Sequence, residues 1–358
     1  MSSAGAEMIR RDRKGAMHPR NLFRAGYDFA HLVASSPGLA PFVAPNAYGD
    51  LSIDYADPAA VTALNRALLA QAYGVKNWDV PPGYLCPPVP GRSEYLHQLA
   101  DLLAEDSGAS IPRGPSTRVL DIGVGASCIY PLVGASEYGW RFVGADIDRT
   151  AVASARRIVA ANPVVAELIE CRLQPSTSGY FRGVIAEGEQ FAASMCNPPF
   201  HASAQEAAAG SRRKRLNLGQ AKELPLNFGG QARELWCDGG EVGFVQRMIA
   251  ESATVAGQCH WFTTLVSKRD HVPSLLKTLR AVGAADVRTL AMAQGQKQSR
   301  ILAWTFLTPD TRRGRHAPNE ERQSRDGKPG VPRSSANRPR ADFRSALIQR
   351  APRLKRRR

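Results

Sequence analysis

Arg118-Val119-Leu120-Asp121-Ile122-Gly123-Val124-Gly125-Ala126-Ser127 reads as a short apolar strand that runs straight into a glycine turn. Two glycines let the backbone bend sharply and approach a ligand where any Cβ would intrude. Further on, Trp140-Arg141-Phe142-Val143-Gly144-Ala145 forms a second strand, which ends in Asp146. An acid at the tip of the second strand is where nucleotide-type Rossmann folds hold a ribose diol. The third glycine of the dinucleotide fingerprint is missing and Ser127 sits nearby, which argues against a nicotinamide enzyme. A lone Gly-x-Gly is weak, but strand, Asp-x-Gly-x-Gly, strand-end acid and then Asn197-Pro198-Pro199-Phe200, in that order, are strong.

The chain keeps alternating downstream. Thr150 to Ala161 reads as a helix, Leu168 to Leu173 as a strand, and Gln190 to Cys196 as a buried strand. Glu241 to Ala256 is helical, Gln258 to Val266 a strand, His271 to Val282 a helix, and Arg300 to Phe306 a closing strand. Such alternation predicts an α/β domain over 116–308 with a parallel, doubly wound sheet. Ahead of it, 46–115 reads as a small, mainly helical extension. Asp57 caps a helix over 57–73 with Pro58 in its first turn, and an amphipathic helix spans Ser93 to Glu105 after a Pro-rich loop from Trp78 to Gly91. Residues 1–45 form a basic lead segment with Arg10, Arg11, Arg13, Lys14, His18, Arg20 and Arg24.

The predicted strand Gln190–Cys196 ends in Asn197-Pro198-Pro199-Phe200. Two consecutive prolines fix φ and supply no N–H, so the backbone after the strand is stiff and extended. An amide, a free carbonyl and an aromatic ring then surround one small volume that suits a planar exocyclic amine. Asn197 Oδ1 and the Pro198 carbonyl can accept its two protons, while Phe200 stacks on the ring. A glycine turn followed by this corner resembles a class I S-adenosylmethionine-dependent methyltransferase, a Rossmann-like fold.

Composition bounds the rest. The chain has 358 residues and a net charge of +15. No apolar run approaches the roughly 18 residues needed to span a bilayer. The N-terminus lacks an apolar signal segment, so a cytoplasmic protein without membrane contact is expected. Six cysteines show no Cys-x-x-Cys pairing and seven histidines no ligand spacing, which suits buried thiols and no metal. From Thr311 to Arg358, sixteen Lys/Arg stand against four acids, so most of the positive charge lies in the tail over 309–358. That tail is expected to be disordered, either as a solvated extension or as a nonspecific phosphate contact.

The chain resembles the bacterial 23S rRNA (adenine-N6)-methyltransferase RlmF family and, more distantly, the eukaryotic methyltransferase-like-16 RNA adenine methyltransferases. The resemblance rests on Met17-His18-Pro19-Arg20-Asn21, Pro88-Val89-Pro90-Gly91-Arg92, Asp121 to Leu132 and Asn197-Pro198-Pro199-Phe200. It continues through Asn227-Phe228-Gly229-Gly230-Gln231, Glu234-Leu235-Trp236-Cys237, Gly239-Gly240-Glu241, Gln294 to Arg300 and Ala303-Trp304. It implies methyl transfer from S-adenosylmethionine to an adenine N6 in 23S rRNA or a precursor of the large ribosomal subunit. It further implies that Arg92, Gly123, Ser127, Asp146 and Asn197 fall on donor-binding positions. Asp121 and Gly125 join them as parts of the strand and its turn. Arg92 suits the donor's carboxylate, and Ser127 either bonds the donor or caps the next helix.

For RNA, the phosphate-contact candidates are Arg20 in the lead segment, Lys297 with Arg300, and the cluster Arg212-Arg213-Lys214-Arg215. The cluster lies in a long irregular stretch after the amine-binding corner. Catalysis by positioning needs no general base, so His201 is not assigned one. Two rivals stand beside this reading. One is a guanine-N2 rRNA methyltransferase or another amine-methylating enzyme. The other is a non-catalytic RNA-binding assembly protein on the same fold.

Overall fold

The structure, a computed structural model, describes residues 17–207, 230–294 and 297–316. A small antiparallel hairpin pairs β1 (Val43–Pro45) with β2 (Leu51–Ile53). The main sheet holds β3 (Arg118–Ile122), β4 (Arg141–Asp146), β5 (Ile169–Leu173), β6 (Phe191–Cys196), β7 (Cys259–Val266), β8 (Asp286–Gln294) and β9 (Lys297–Thr305). Their spatial order is β5-β4-β3-β6-β7-β9-β8. Every residue of β6 and β7 is buried, as expected for strands covered on both faces. Side chains alternate between two cores. Val119, Trp261 and Ile301 enter one, and their neighbours Leu120, Phe262 and Leu302 enter the other.

Helices cover both faces. α1 (Phe29–Ser35), α2 (Pro58–Tyr73), α3 (Val89–Asp106), α4 (Ile129–Tyr138) and α5 (Arg149–Ala160) contribute to the first core. α6 (Gly240–Ser252) and α7 (Val272–Ala281) contribute to the second, and α8 (Pro309–His316) follows the last strand. Local chemistry explains several boundaries. Asp57 accepts from Ala59 N, so it caps its helix as its sequence position predicts, and Asp148 accepts from Thr150 N and Ala151 N as the cap of α5.

Four expectations change. The sheet is not wholly parallel: β9 runs antiparallel to both β7 and β8, and β8 was not foreseen at all. α3 begins at Val89, inside the expected loop, because Pro90 fits a first turn whose N–H groups have no helical partner. Arg92 therefore sits on the first turn of a helix. The expected tail boundary at 308 also moves, since α8 carries Arg312 into the interior with only 4% of its side chain exposed. Arg312 Nε bonds both oxygens of Asp106 at 2.9 and 3.0 Å and the guanidinium lies over Trp261, whose Nε1 reaches Asp106 at 2.7 Å. The compact unit accordingly ends at His316, and the rest of the tail lies outside the described residues.

The lead segment is the fourth change. His18 N and Asn21 Nδ2 both bond Glu94 Oε2, at 2.9 and 3.0 Å, and Arg20 Nη2 bonds Asp101 Oδ1 at 2.7 Å. Arg20 also reaches His97 O and the Tyr138 hydroxyl. Residues 18–21 thus fasten onto α3, and Arg20 is engaged by internal partners.

Candidate active site

β3 and β6 are neighbours in which Ile122 stands opposite Cys196. Gly123 and Asn197 therefore leave the sheet side by side, at the point where the strand order reverses. This is where open α/β sheets bind ligands. The glycine turn is sewn to β4: Gly123 N and Val124 N both donate to Ala145 O, and Gly125 N donates to Asp146 Oδ2 at 2.9 Å. Gly144 keeps that contact close, because a Cβ there would come within 2.7 Å of Val124 Cγ2. Gly123 and Gly125 have φ of +77° and +65°, a region that side chains rarely adopt.

A cavity of about 770 Å³ opens at this edge, lined by Gly123, Gly125, Ser127, Asp146, Arg92 and Asn197 among others. Its volume falls within the range of small-molecule sites. Asp146 ends β4 with Oδ1 accepting from Asp148 N, and burial raises its pKa above the usual carboxylate value. Ser127 is not the cap of α4. That position belongs to Cys128 in a left-handed conformation, while the Ser127 carbonyl accepts from Trp78 Nε1 at 2.8 Å. Arg92 Nη1 bonds the Tyr130 hydroxyl at 2.9 Å. With the Asn197 amide turned so that Oδ1 faces Arg92, Nη1 and Nη2 each lie 3.2 Å from it.

Some expected residues stand apart. Asp121 is fully buried behind the glycine turn and does not line the cavity, so it backs the donor site instead of facing it. Neither of its oxygens has a hydrogen-bond partner among the described residues, and burial pushes its pKa up to about 8. Pro198 is buried, and Phe200 is half-buried against the first core; neither lines the cavity, whereas Pro199 does. Lys297 and Arg300 open β9, and Arg300 pairs with Val266 at the C-terminal end of β7, the same sheet edge as Asn197. Arg212, Arg213, Lys214 and Arg215 lie outside the described residues.

Sequence reasoning missed the rest of the wall. Tyr84 lines the cavity and its hydroxyl bonds Asp148 Oδ2 at 2.9 Å. Glu234 and Trp236 line it from a segment that pairs beside the Asn197–Phe200 corner: His201 N donates to Leu235 O, and Cys237 N to His201 O. Tyr180 closes another side, its N–H and those of Phe181 and Arg182 all donating to the buried Glu251. Only the Glu234-Leu235-Trp236-Cys237 signature hinted at any of these.

The donor chemistry fits what is present. Arg92 lines the cavity with its Nε buried and without a hydrogen-bond partner among the described residues, a basic group suited to a carboxylate. The glycine turn leaves room for close approach, with nothing within 4 Å of a Cβ built on Gly123. Asp146 lines the same cavity with a carboxylate suited to a ribose diol. Strand order, glycine turn, ribose-side acid and the Asn-Pro-Pro-Phe corner together define a class I S-adenosylmethionine-dependent methyltransferase.

A family profile described as RNA methyltransferase matches residues 11–308, and the chain belongs to that family. It is 57% identical over 303 residues to ribosomal RNA large subunit methyltransferase F of Ectopseudomonas mendocina, covering 84% of this chain and 91% of that one. The protein of the same name from Yersinia enterocolitica is 53% identical over 300 residues, covering 83% and 90%. Among solved structures, the METTL16 catalytic domain in complex with the MAT2A 3'UTR hairpin 1 is similar at a TM-score of 0.69 and 32% identity. It covers 82% of this chain and 96% of that one. The N-terminal domain of human METTL16 in complex with SAH gives a TM-score of 0.65 at 29% identity, over 82% and 100% of the two chains.

Proposed function

We propose that this enzyme methylates the exocyclic N6 of a specific adenine in 23S rRNA, free or within a precursor of the large ribosomal subunit, in the cytoplasm. The register of Ile122 against Cys196 carries the reading, because it sets the amine-holding corner beside the donor's glycine turn. The names of the relatives support the ribosomal substrate. The RNA hairpin bound by the METTL16 catalytic domain supports a folded RNA as the partner class. Among the described residues no helix is long and apolar enough to cross a membrane.

S-adenosylmethionine, when bound, supplies a methyl group activated on a sulfonium. The chain's part is to hold and orient. Arg92 takes the donor's carboxylate, Ser127 and the Gly123–Gly125 turn line its path, and Asp146 accepts from the ribose. Asn197 Oδ1 and the Pro198 carbonyl accept the two amine protons, which turns the nitrogen lone pair toward the methyl and favours a pyramidal nitrogen. Because Oδ1 has a second lone pair, it can face Arg92 and the amine together. Phe200, outside the donor cavity, stacks on the base. Lys297 and Arg300, at the same sheet edge, and the Arg212–Arg215 cluster contact phosphates. Preorganised acceptors of this kind act without a general base, because the nitrogen becomes strongly acidic once methylated and sheds its extra proton to water.

The test is methyl incorporation into rRNA from a strain lacking the enzyme, with wild type and Asn197→Ala, followed by nuclease digestion and nucleoside mass analysis. Incorporation as N6-methyladenosine that Asn197→Ala abolishes is expected. Equal incorporation by both proteins overturns the assignment of Asn197, and N2-methylguanosine overturns the assignment of the base.

A further inference from the structure

Gly83 to Leu85 and Gly230 to Glu234 approach the donor cavity from opposite parts of the chain and are fastened to each other. Gly230 N donates to Gly83 O at 2.9 Å, and Gln231 Nε2 reaches the same oxygen at 3.2 Å. Glu234 Oε2 accepts from Leu85 N at 3.1 Å and from Gln231 N at 2.7 Å. One carboxylate oxygen therefore ties the two segments together. The other points toward the glycine turn, 3.7 Å from where a Cβ on Gly125 would stand. Tyr84, Leu85, Gln231 and Glu234 all line the cavity, so the fastening forms part of the wall of the space assigned to the donor.

From these contacts we infer that Glu234 is a positioning residue whose carboxylate fastens the Gly83–Leu85 loop to the Gly230–Glu234 strap over the bound donor, retaining it during turnover. The inference rests on reading this cavity as the donor's. Three observations favour retention over a merely structural bond. First, Glu234 is half-buried with Oε1 facing Gly125, and burial raises its pKa, so its position is costly unless its acceptors are used. Second, the loop has a separate anchor, the Tyr84 hydroxyl on Asp148, at the capping residue of α5 beside Asp146. Third, the strap continues directly into the pairing of Leu235 and Cys237 with His201, next to the amine corner. Opening the strap at Glu234 leaves that pairing in place, so donor release is separable from the geometry of Asn197.

The experiment uses the full chain and S-adenosylhomocysteine as the probe, with dissociation followed by stopped-flow competition and methyl transfer followed at saturating donor. Glu234→Ala removes the shared acceptor. Its S-adenosylhomocysteine dissociation should quicken about tenfold or more, the range expected on losing one or two hydrogen bonds to a charged group, with kcat at saturating donor changed far less. Glu234→Gln keeps an amide oxygen able to accept both N–H groups and should stay within about threefold of wild type. Tyr84→Phe removes only the loop's bond to Asp148 and should speed release severalfold, which gives a second reading should Glu234→Ala fold poorly. Wild-type release from Glu234→Ala overturns the inference. So does a Glu234→Gln variant as leaky as Glu234→Ala, which would assign the effect to charge instead of the fastening. Failure of wild type itself to bind S-adenosylhomocysteine would overturn the reading of the cavity, a distinct result.

Discussion

Arg92 and Asn197 share one contact: with the amide oxygen turned toward it, both terminal guanidinium nitrogens lie 3.2 Å from Oδ1. One residue rises from the first turn of α3 and the other from the end of β6, so the donor side and the amine side of the cavity share a boundary. Arg92→Ala should raise the donor KM by about ten- to a hundredfold, the range for losing a hydrogen bond to a charged group. It should also lower kcat, because the Asn197 amide loses the group that orients it. Arg92→Lys keeps the charge but not the fork and should recover affinity only in part. Steady-state kinetics with varied donor separate the two effects.

Asp121 makes the donor-free protein sensitive to pH. Its folded-state pKa of about 8 lies above the ordinary 3.8. Below pH 3.8 both states hold the proton, so the group draws nothing from stability. Between there and pH 8 the unfolded chain releases the proton while the buried carboxyl keeps it, so stability falls as pH rises. Asp121→Asn cannot ionise. The melting temperature of Asp121→Asn relative to wild type should climb from pH 4 to pH 8 and level off above, as read by thermal melts across that range. A constant difference would show that Asp121 does not titrate there.

A chain ended after His316 should melt near the full-length temperature, whereas one ended after Thr308 should not. The second loses Arg312 and leaves Asp106 buried without its cation. Removing one partner of a buried pair typically costs about 3–5 kcal/mol. Arg312→Ala should reproduce most of that loss, and a double-mutant cycle with Asp106→Asn should show coupling between the two. Urea midpoints at constant m-value provide the measurement.

The basic residues divide by role, and salt dependence separates them. Arg20 is tied to Asp101, His97 and Tyr138, so Arg20→Ala should lower the melting temperature and leave the salt slope of RNA binding unchanged. Neutralising Arg212, Arg213, Lys214 and Arg215 should leave the melting temperature unchanged and lower that slope. Loss of four phosphate contacts reduces the slope of log affinity against log salt by about 3 to 4, the range from single strands to duplex. Filter binding across a salt series checks both variants.

What was legible in the sequence is what local chemistry decides. Glycines at positive φ after β3, the acid ending β4, Asp57 before Pro58 and the diproline corner each constrain their own few residues, so they can be read without knowing the fold. Strand direction is different. β8 and β9 form a hairpin in which Asp286 pairs with Thr305 and Gln294 with Lys297, and side-chain alternation is the same whichever way a strand runs. Arg312 was hidden by composition, because a stretch rich in arginine reads as solvated unless its partners, here Asp106 and Trp261, are known. Arg20 was hidden in the same way. Glu234 acts through main-chain N–H groups of Leu85 and Gln231, which carry no sequence signal at all. The start of α3 was readable and was missed: Pro90 marks a first turn as readily as a loop.

Asp106 and Arg312 are 206 residues apart in sequence, and this bears on how the chain assembles. Nearly every other element must be in place before their ends can meet, so this contact is among the most non-local in the domain. During synthesis from the N-terminus, Asp106 lacks its cation and Trp261 the guanidinium that covers its ring until α8 emerges. The finished core is therefore a late event, and a nascent chain halted anywhere before Arg312 would expose the seam that α8 seals.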